Sequence, residues 1–475
     1  MRLYNGVRLV DRPSPSNVRR IDMGALPMID AMHSHGIRVD TAHLRKLSIR
    51  LRILMDEKEI EVADQLPPGY NFNISSPKHV ADLLFHKLRI QGNKPVKLTD
   101  SQSWEATGSE VLQRYWTAHP VVPIILKWRE YAKIKNTYAD TLPRVMDANQ
   151  RIHTRFKATT TTTGRLASED PNLQNLPKKS ALGREIRKAF IAEPGWVLSA
   201  IDLSQIEMRV LAHLSGEPSM VTGYHTPGWD MHTQTACTVF NLPESVVNTP
   251  EGKLKYRLPS KNIGFGVAYR IGPDGLQVTI IESYAVDDIY EVDGIPTYEI
   301  WSTSRCEKLI KGFYAARPYI AKWQGLQDLR VRRHGCVWTM FGRHRLIPQG
   351  KSTLSWVRNA GFREGANQPV QGSAQDILKL AMAEIEDRRA SFNHKKTVAV
   401  TRGKREMAHR DGEVVRPLLQ IHDELMFECK GEQVAKDWVL GVCQPIMEGQ
   451  VPLDVPIKAS ADMGERWGSM EDMAA

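Results

Sequence analysis

One stretch constrains the chain more than any other: Trp196-Val-Leu-Ser-Ala-Ile-Asp202-Leu-Ser-Gln-Ile-Glu207-Met-Arg209-Val-Leu-Ala-His213. Its first half, Trp196 to Leu203, is apolar and β-prone and predicts a buried strand. Its second half sets Ile206, Val210 and Leu214 four residues apart, which is one face of a helix. Asp202 stands at the end of the strand, where burying an unpaired carboxylate is costly. A cation, a partner or a metal would neutralise it. A purely local reading is also open, with Ser204-x-x-Glu207 as a capping box and Asp202 as a further anion at the helix N-terminus.

The rest of the chain narrows the choice. At 475 residues, 41% of them hydrophobic and 25% charged, it has the make-up of an ordinary globular protein of several domains or subdomains. The formal net charge of +10 favours a polyanionic partner. Cys237, Cys306, Cys336, Cys429 and Cys443 form no Cys-x-x-Cys pair. That spacing argues against a zinc site or a disulfide framework and suits a reducing compartment. No run approaches the roughly 18 apolar residues that span a membrane, and the N-terminus has no apolar signal core.

Taken in order, residues 1–20 with Pro13-Ser-Pro-Ser16 predict an irregular lead-in. From Ile21 to about Leu66 the pattern is helical, with Leu44, Leu47, Leu51 and Leu54 as one face. Ser76-Pro77 is a helix start. The basic helix Lys127–Lys135 is a solvated face or a phosphate-tracking surface. Five threonines, Thr159–Thr163, leave strand and loop both open. A second helical block covers about 220–334 and ends in Arg330-Val-Arg-Arg333-His334. Leu418–Ile421 and Leu425–Phe427 predict a hairpin with His422, Asp423 and Glu424 at its tip. By itself Asp423 reads equally as a turn aspartate.

Five blocks, in order, resemble those of the family A, DNA polymerase I-like, DNA polymerases. They are Thr163-Gly164-Arg165-Leu166 with Pro171–Pro177, and Asp202-Leu-Ser-Gln-Ile-Glu207-Met-Arg209. Arg257-x3-Lys261-x3-Phe265-Gly266-x2-Tyr269 follows, then Arg363-x3-Asn367-Gln-Pro369-Val-Gln371, and last Ile421-His422-Asp423-Glu424. The resemblance runs from about residue 25 to the C-terminus. It implies an α+β right-hand fold: lead-in 1–20, helical thumb 21–150, palm 151–219, helical fingers 220–334 and the second part of the palm, with its antiparallel sheet, 335–475.

The activity it implies is template-directed DNA synthesis, with primer-template DNA and dNTPs as partners and no membrane. Nucleotidyl transfer needs an activated 3′-hydroxyl and a neutralised triphosphate, which two Mg²⁺ ions roughly 3.5–4 Å apart can supply. Mg²⁺ takes few protein carboxylates and completes its shell with phosphates, and Mn²⁺ is an expected substitute. The resemblance assigns the metals to Asp202, Asp423 and the carbonyl of Leu203, with Glu424 as auxiliary carboxylate. Lys261 belongs to the catalytic set and, with Arg257 and His232, to the phosphate contacts. Arg257, Lys261 and Phe265 share a helix face at i, i+4 and i+8. Gly264 and Gly266 beside Phe265 suggest close approach of a ligand. Phe265 packs by the sugar, and phenylalanine there implies poor acceptance of dideoxynucleotides. Tyr269 stands near the templating base, and Gln205 contacts the nucleotide. Glu207 is the steric gate against a ribose 2′-hydroxyl. Arg165, Gln174, Asn175, Arg363, Asn367, Gln371 and His422 contact DNA, where minor-groove readout is sequence-tolerant.

Arg270 and Leu203 depart from the family's frequent glycine and tyrosine. Residues 281–298 and the basic insert 393–416 read as embellishments, the insert as an extra DNA contact or a solvated loop, with the loop preferred. About 20 residues precede the resemblance, so no intrinsic 3′–5′ exonuclease is expected. A mismatched primer 3′ end should stay intact with Mg²⁺ over a time that suffices for extension of a matched one, and metal-dependent excision would contradict this. The expected molecule is a monomer of a bacterial or phage-infected cytoplasm, or of an organelle, with any exonuclease or processivity factor on another chain. A single-subunit RNA polymerase shares the palm carboxylates, but Gln205-Ile-Glu207 speaks against it. A silent DNA-binding protein is disfavoured because Asp202, Asp423, Arg257 and Lys261 stand together.

Overall fold

Strand β1, Val197–Leu203, is buried at six of its seven positions and lies at the centre of a five-stranded antiparallel sheet. Beside it run β2, Val415–Ile421, β3, Glu424–Cys429, β4, Ala459–Gly464, and β5, Glu471–Asp472, in the order β2-β3-β1-β4-β5. Strands β2 and β3 form the expected hairpin, with His422-Asp423 as its turn. The computed structural model describes residues 6–66, 69–90, 105–116, 118–178, 180–285, 289, 291–401 and 412–473.

Helices pack around this sheet. Helix α1, Pro15–His35, buries Ile21, Ala25, Met28, Ile29 and Met32 against β2 and a long helix described below. The expected lead-in over 1–20 therefore ends at Ser14, and the boundary at residue 21 cuts a helix. Pro15 supplies a φ already suited to a first helical position. Helix α2, Thr41–Ala63, is capped by Asp40, whose side chain accepts from the His43 N–H at 2.9 Å. It packs against α3, Val121–Ile134, and buries Leu44, Leu47 and Leu51 as their spacing predicts.

Helix α4, Ile206–Ser215, follows β1. The capping box does not form: Gln205, in the left-handed region at φ 53°, is the cap and makes no side-chain cap bond. Glu207 is drawn away by Arg165, because a buried carboxylate gains more from a guanidinium than from a backbone amide. The block after it supplies α5, Met231–Phe240, α6, Leu258–Ala268, and α7, Pro318–His334. A π-helical turn, Lys253–Arg257, runs into α6, so Arg257 caps the helix that carries Lys261.

Helix α8 spans Ser355–Thr401. The predicted insert loop is corrected here: its start continues α8 to Thr401, and residues 402–411 lie outside the described residues. Asn393 explains the order at that point. Its amide accepts from the Val414 and Val415 N–H groups at 3.1 and 3.0 Å and donates to the Val415 carbonyl at 3.2 Å, clamping α8 to β2. In the other embellishment one helix ends at Ala285 and a small hairpin joins Glu291–Val292 to Ile295–Pro296.

Candidate active site

Strand register decides where the carboxylates meet. Asp202 on β1 lies opposite Glu424 on β3 and opposite Ser460 on β4. Asp423, one residue before Glu424, sits in the hairpin turn, which closes because His422 adopts the left-handed region at φ 56°. The Leu203 N–H donates to the Asp423 carbonyl at 3.1 Å. Residues about 220 apart in sequence thus share one corner of the sheet.

The corner is short of positive charge. Burial raises the Asp423 carboxyl to about 7, with Glu207 and Asp202 adding to the rise and Arg165 opposing it. Burial raises Glu424 too, although Lys178 lies 3.3 Å away. Glu207 is raised by burial even with its Arg165 partner. Hard carboxylate oxygens gathered at one corner fit Mg²⁺, which binds through one or two carboxylates and takes its other ligands from phosphate and water. Among the described residues no three His, Cys, Asp or Glu side chains are grouped as a self-sufficient metal site.

Across from the sheet, α6 packs against α5 and α4. Arg257 makes a two-pronged pair with Asp230, at 2.9 and 3.0 Å. Asp230 also caps α5 through the Thr233 N–H at 2.8 Å. Sequence reasoning did not assign Asp230 a role, and its cap signature, Asp230-x-x-Thr233, was the available signal. The His232 ring lies 5.6 Å from that of Phe265. Burial lowers His232 to about 4, and Lys261 and Arg257 add to the fall. At neutral pH it is therefore an uncharged hydrogen-bonding group. Its buried Nδ1 and the buried hydroxyl of Tyr269 have no hydrogen-bond partner among the described residues, a state that usually marks a place for a ligand or water. Of the two glycines beside Phe265, Gly266 needs a different account from ligand approach. A Cβ on Gly266 would come within 2.7 Å of Ile271 Cγ2, so that glycine is required by the chain's own next turn.

The residues expected on DNA divide into two groups. Gln174 donates to the Gln420 side chain at 2.9 Å and to its carbonyl at 3.1 Å, tying its loop to the hairpin. The Asn175 carbonyl accepts from the Tyr138 hydroxyl at 2.8 Å. Both line a cleft of about 730 Å³ with His422 and with Lys127 and Lys133 of α3. Arg363, Asn367 and Gln371 lie along α8, Arg363 exposed and the Asn367 side-chain oxygen buried without a partner among the described residues. Arg165 is engaged by Glu207, and Gln205 accepts from the Tyr224 hydroxyl at 3.2 Å. Gly164 is obligatory: its φ is 82°, and a Cβ there would meet Arg343 Nε at 2.6 Å.

The family model described as DNA polymerase family A matches residues 41–469. The chain belongs to DNA polymerase family A. Its sequence is 34% identical to the thermostable DNA polymerase I of Thermus aquaticus, over 96% of this chain and 48% of that protein. The DNA polymerase I of Deinococcus radiodurans is likewise 34% identical, over 93% of this chain and 41% of its own. The chain thus spans about half the length of the curated relatives it matches. Among solved structures it superposes on the POL domain of Pol1 from M. smegmatis, whose complex holds primer-template DNA and dNTP. The TM-score is 0.78 and the identity 29%, covering 95% of this chain and 72% of the other. The family A right-hand fold is therefore the fold of this chain: α+β, with an antiparallel palm sheet and helical thumb and fingers. No helix among the described residues is long and apolar enough to cross a membrane.

Proposed function

We propose that this family A chain is a DNA-directed DNA polymerase that adds dNTPs to a primer 3′ end on a DNA template. The observation that carries the reading is the convergence of Asp202 and Asp423 at one end of the sheet, where Asp423 holds a proton to about pH 7. The roles are divided among subdomains as follows: a thumb within 21–150, a palm built from 151–219 and 335–475, and fingers over 220–334. Helix α1 is packed with the palm.

Asp202, Asp423 and the Leu203 carbonyl would hold two Mg²⁺ ions, with Glu424 beside them. When bound, these ions supply charge neutralisation and lower the pKa of the primer hydroxyl. The chain's own groups do the positioning. Lys261 and Arg257 line up along the triphosphate, and Asp230 fixes the direction of the Arg257 guanidinium. His232 donates or accepts a hydrogen bond without adding charge. Phe265 packs by the sugar, Tyr269 stands by the templating base and Gln205 lies beside the nucleotide. Gln174, Asn175, Arg363, Asn367, Gln371 and His422 follow the duplex.

Glu207 would block a ribose 2′-hydroxyl, and its pairing with Arg165 supports this, because the pair lies close enough to Asp423 to act on its carboxyl. Primer extension with dNTPs against NTPs, in parent and Glu207→Ala, tests the assignment. The parent should extend with dNTPs and Mg²⁺. The variant should incorporate NTPs about 10- to 100-fold more readily relative to dNTPs, the discrimination a single steric contact can supply. An unchanged ratio would remove Glu207 from the gate. A parent that binds primer-template but extends with neither nucleotide would remove the polymerase reading itself.

A further inference from the structure

Between Asp328 and Glu364 the chain has no acidic residue, yet it carries seven arginines and Lys351. Arg343 is taken up by Asp22 and Asp376 and Arg345 by Glu364, so the surface charge comes from the other cations of the stretch. The end of α7, the hairpin Cys336–Trp338/His344–Leu346 and the start of α8 close over a separate small core of Val331, Val337, Ile347 and Phe362. Arg332, Arg333, His334 and Lys351 are left exposed on its outside. In the same patch Trp356 is 71% exposed, with Leu354 and Leu346 at 55% and 70%. Arg358 donates to the carbonyls of Ser352 and Thr353 at 3.0 and 3.2 Å, so the loop leading into Trp356 is held in place.

An indole left open beside the exposed cations Arg332, Arg333 and Lys351 is a good surface for a single-stranded nucleic acid. Such strands are bound by a positive track for the phosphates and an aromatic face on which a base stacks. The location agrees. Trp356, Arg363 and Asn367 are spaced i, i+7 and i+11 on α8, so they lie along one face over about 16 Å. At the other side, Gln324 of α7 donates to the Val267 and Ala268 carbonyls at the end of α6, at 3.1 and 3.3 Å. Helix α7 therefore leads from the neighbourhood of Tyr269 outward to Arg332 and Arg333.

We propose that this patch is a stacking platform for the unpaired template strand ahead of the primer junction, with Trp356 as the base-stacking residue and Arg332, Arg333 and Lys351 as phosphate contacts. The inference rests on the polymerase reading of the site and adds a template-binding surface to it.

Two primer-templates test it, one with a single-nucleotide 5′ overhang and one with about ten unpaired nucleotides. Affinity is measured by anisotropy over a salt series, for the parent, Trp356→Ala, Trp356→Phe and Lys351→Glu. Trp356→Ala should bind the long overhang about tenfold more weakly than the parent, as expected for losing one base–aromatic stack. It should bind the short overhang equally well, and Trp356→Phe should recover most of the loss. Lys351→Glu should reduce the salt dependence on the long overhang only. Equal affinity of the parent and Trp356→Ala for the long overhang overturns the platform. So does self-association of the parent that Trp356→Ala abolishes, since the patch would then be a contact between copies. Primer extension on the short overhang separates the two readings: if the parent fails there, the polymerase reading falls, whatever the overhang experiment gives.

Discussion

Replacing Asp423 with asparagine is expected to reduce primer extension by about 10³-fold or more while leaving primer-template affinity little changed. An amide of the same shape keeps the hairpin but offers a divalent cation no charge, and the electrostatic contribution at a reacting phosphate is among the largest single terms in catalysis. The same substitution should stabilise the chain in metal-free buffer. Burial, reinforced by Glu207 and Asp202, holds the Asp423 proton to about pH 7, against an ordinary value of 3.8. Between those two values the folded chain binds more protons than the unfolded one, so stability falls as pH rises through that window. Asparagine has no charge to bury and escapes the penalty. Thermal unfolding in EDTA at pH 8 should give Asp423→Asn the higher Tm, and the gap should close near pH 4. Mg²⁺ should then raise the Tm of the parent and not that of the variant. Undiminished extension by the variant would place the reacting centre elsewhere.

Arg343→Ala is expected to be the most damaging change away from the reaction site. The guanidinium donates to Asp376 at 2.8 Å and, with two nitrogens, to Asp22 at 3.0 and 2.7 Å. Lys379 reaches the same Asp22 at 2.8 Å, and Thr339 donates to Asp376 at 2.8 Å. Asp376 and Lys379 are wholly buried. The cluster ties α1, the hairpin after α7 and α8 into one body. Burial works against the charge of Arg343, and Asp376 and Asp22 outweigh it, pushing the guanidinium above its ordinary value. Truncation strands a buried carboxylate, which costs about 3–5 kcal/mol. Limited proteolysis and a lower Tm should report it, and a second change, Asp376→Leu, should recover part of the loss by removing the stranded group. Wild-type stability in Arg343→Ala would mean that the cluster is solvated and contributes little.

Short-range periodicity made much of this architecture legible. The apolar run Val197–Leu203 reads as a strand because each residue adds to one buried surface, and the polar break at His422-Asp423 reads as a turn because both flanking runs are β-prone. Arg257, Lys261 and Phe265 share a face by helical arithmetic alone. Local pattern failed where a distant charge competed with it. Glu207 suits a capping box by spacing, yet Arg165, brought in from another segment, takes it. The 393–416 insert looks like a loop by composition, yet Asn393 finds the edge of β2 and the helix continues. The Arg343 cluster left one trace, the lone cation Lys379 inside the otherwise apolar run Ile377–Ala383.

The sequence by itself determined the identities of the chemical groups and their local presentation: a carboxylate ending a strand, a second at a hairpin turn, two cations and a ring on one helix face. Those follow from periods of two and 3.6 residues, which act within a few positions. Tertiary structure alone decided which groups became neighbours. The β1–β3 register set Asp202 against Glu424, packing of α5 on α6 gave Arg257 its Asp230, and closure of the small core around Phe362 left Trp356 facing outward among cations. Those outcomes depend on burial and on charges that approach from far along the chain, and no local pattern encodes them.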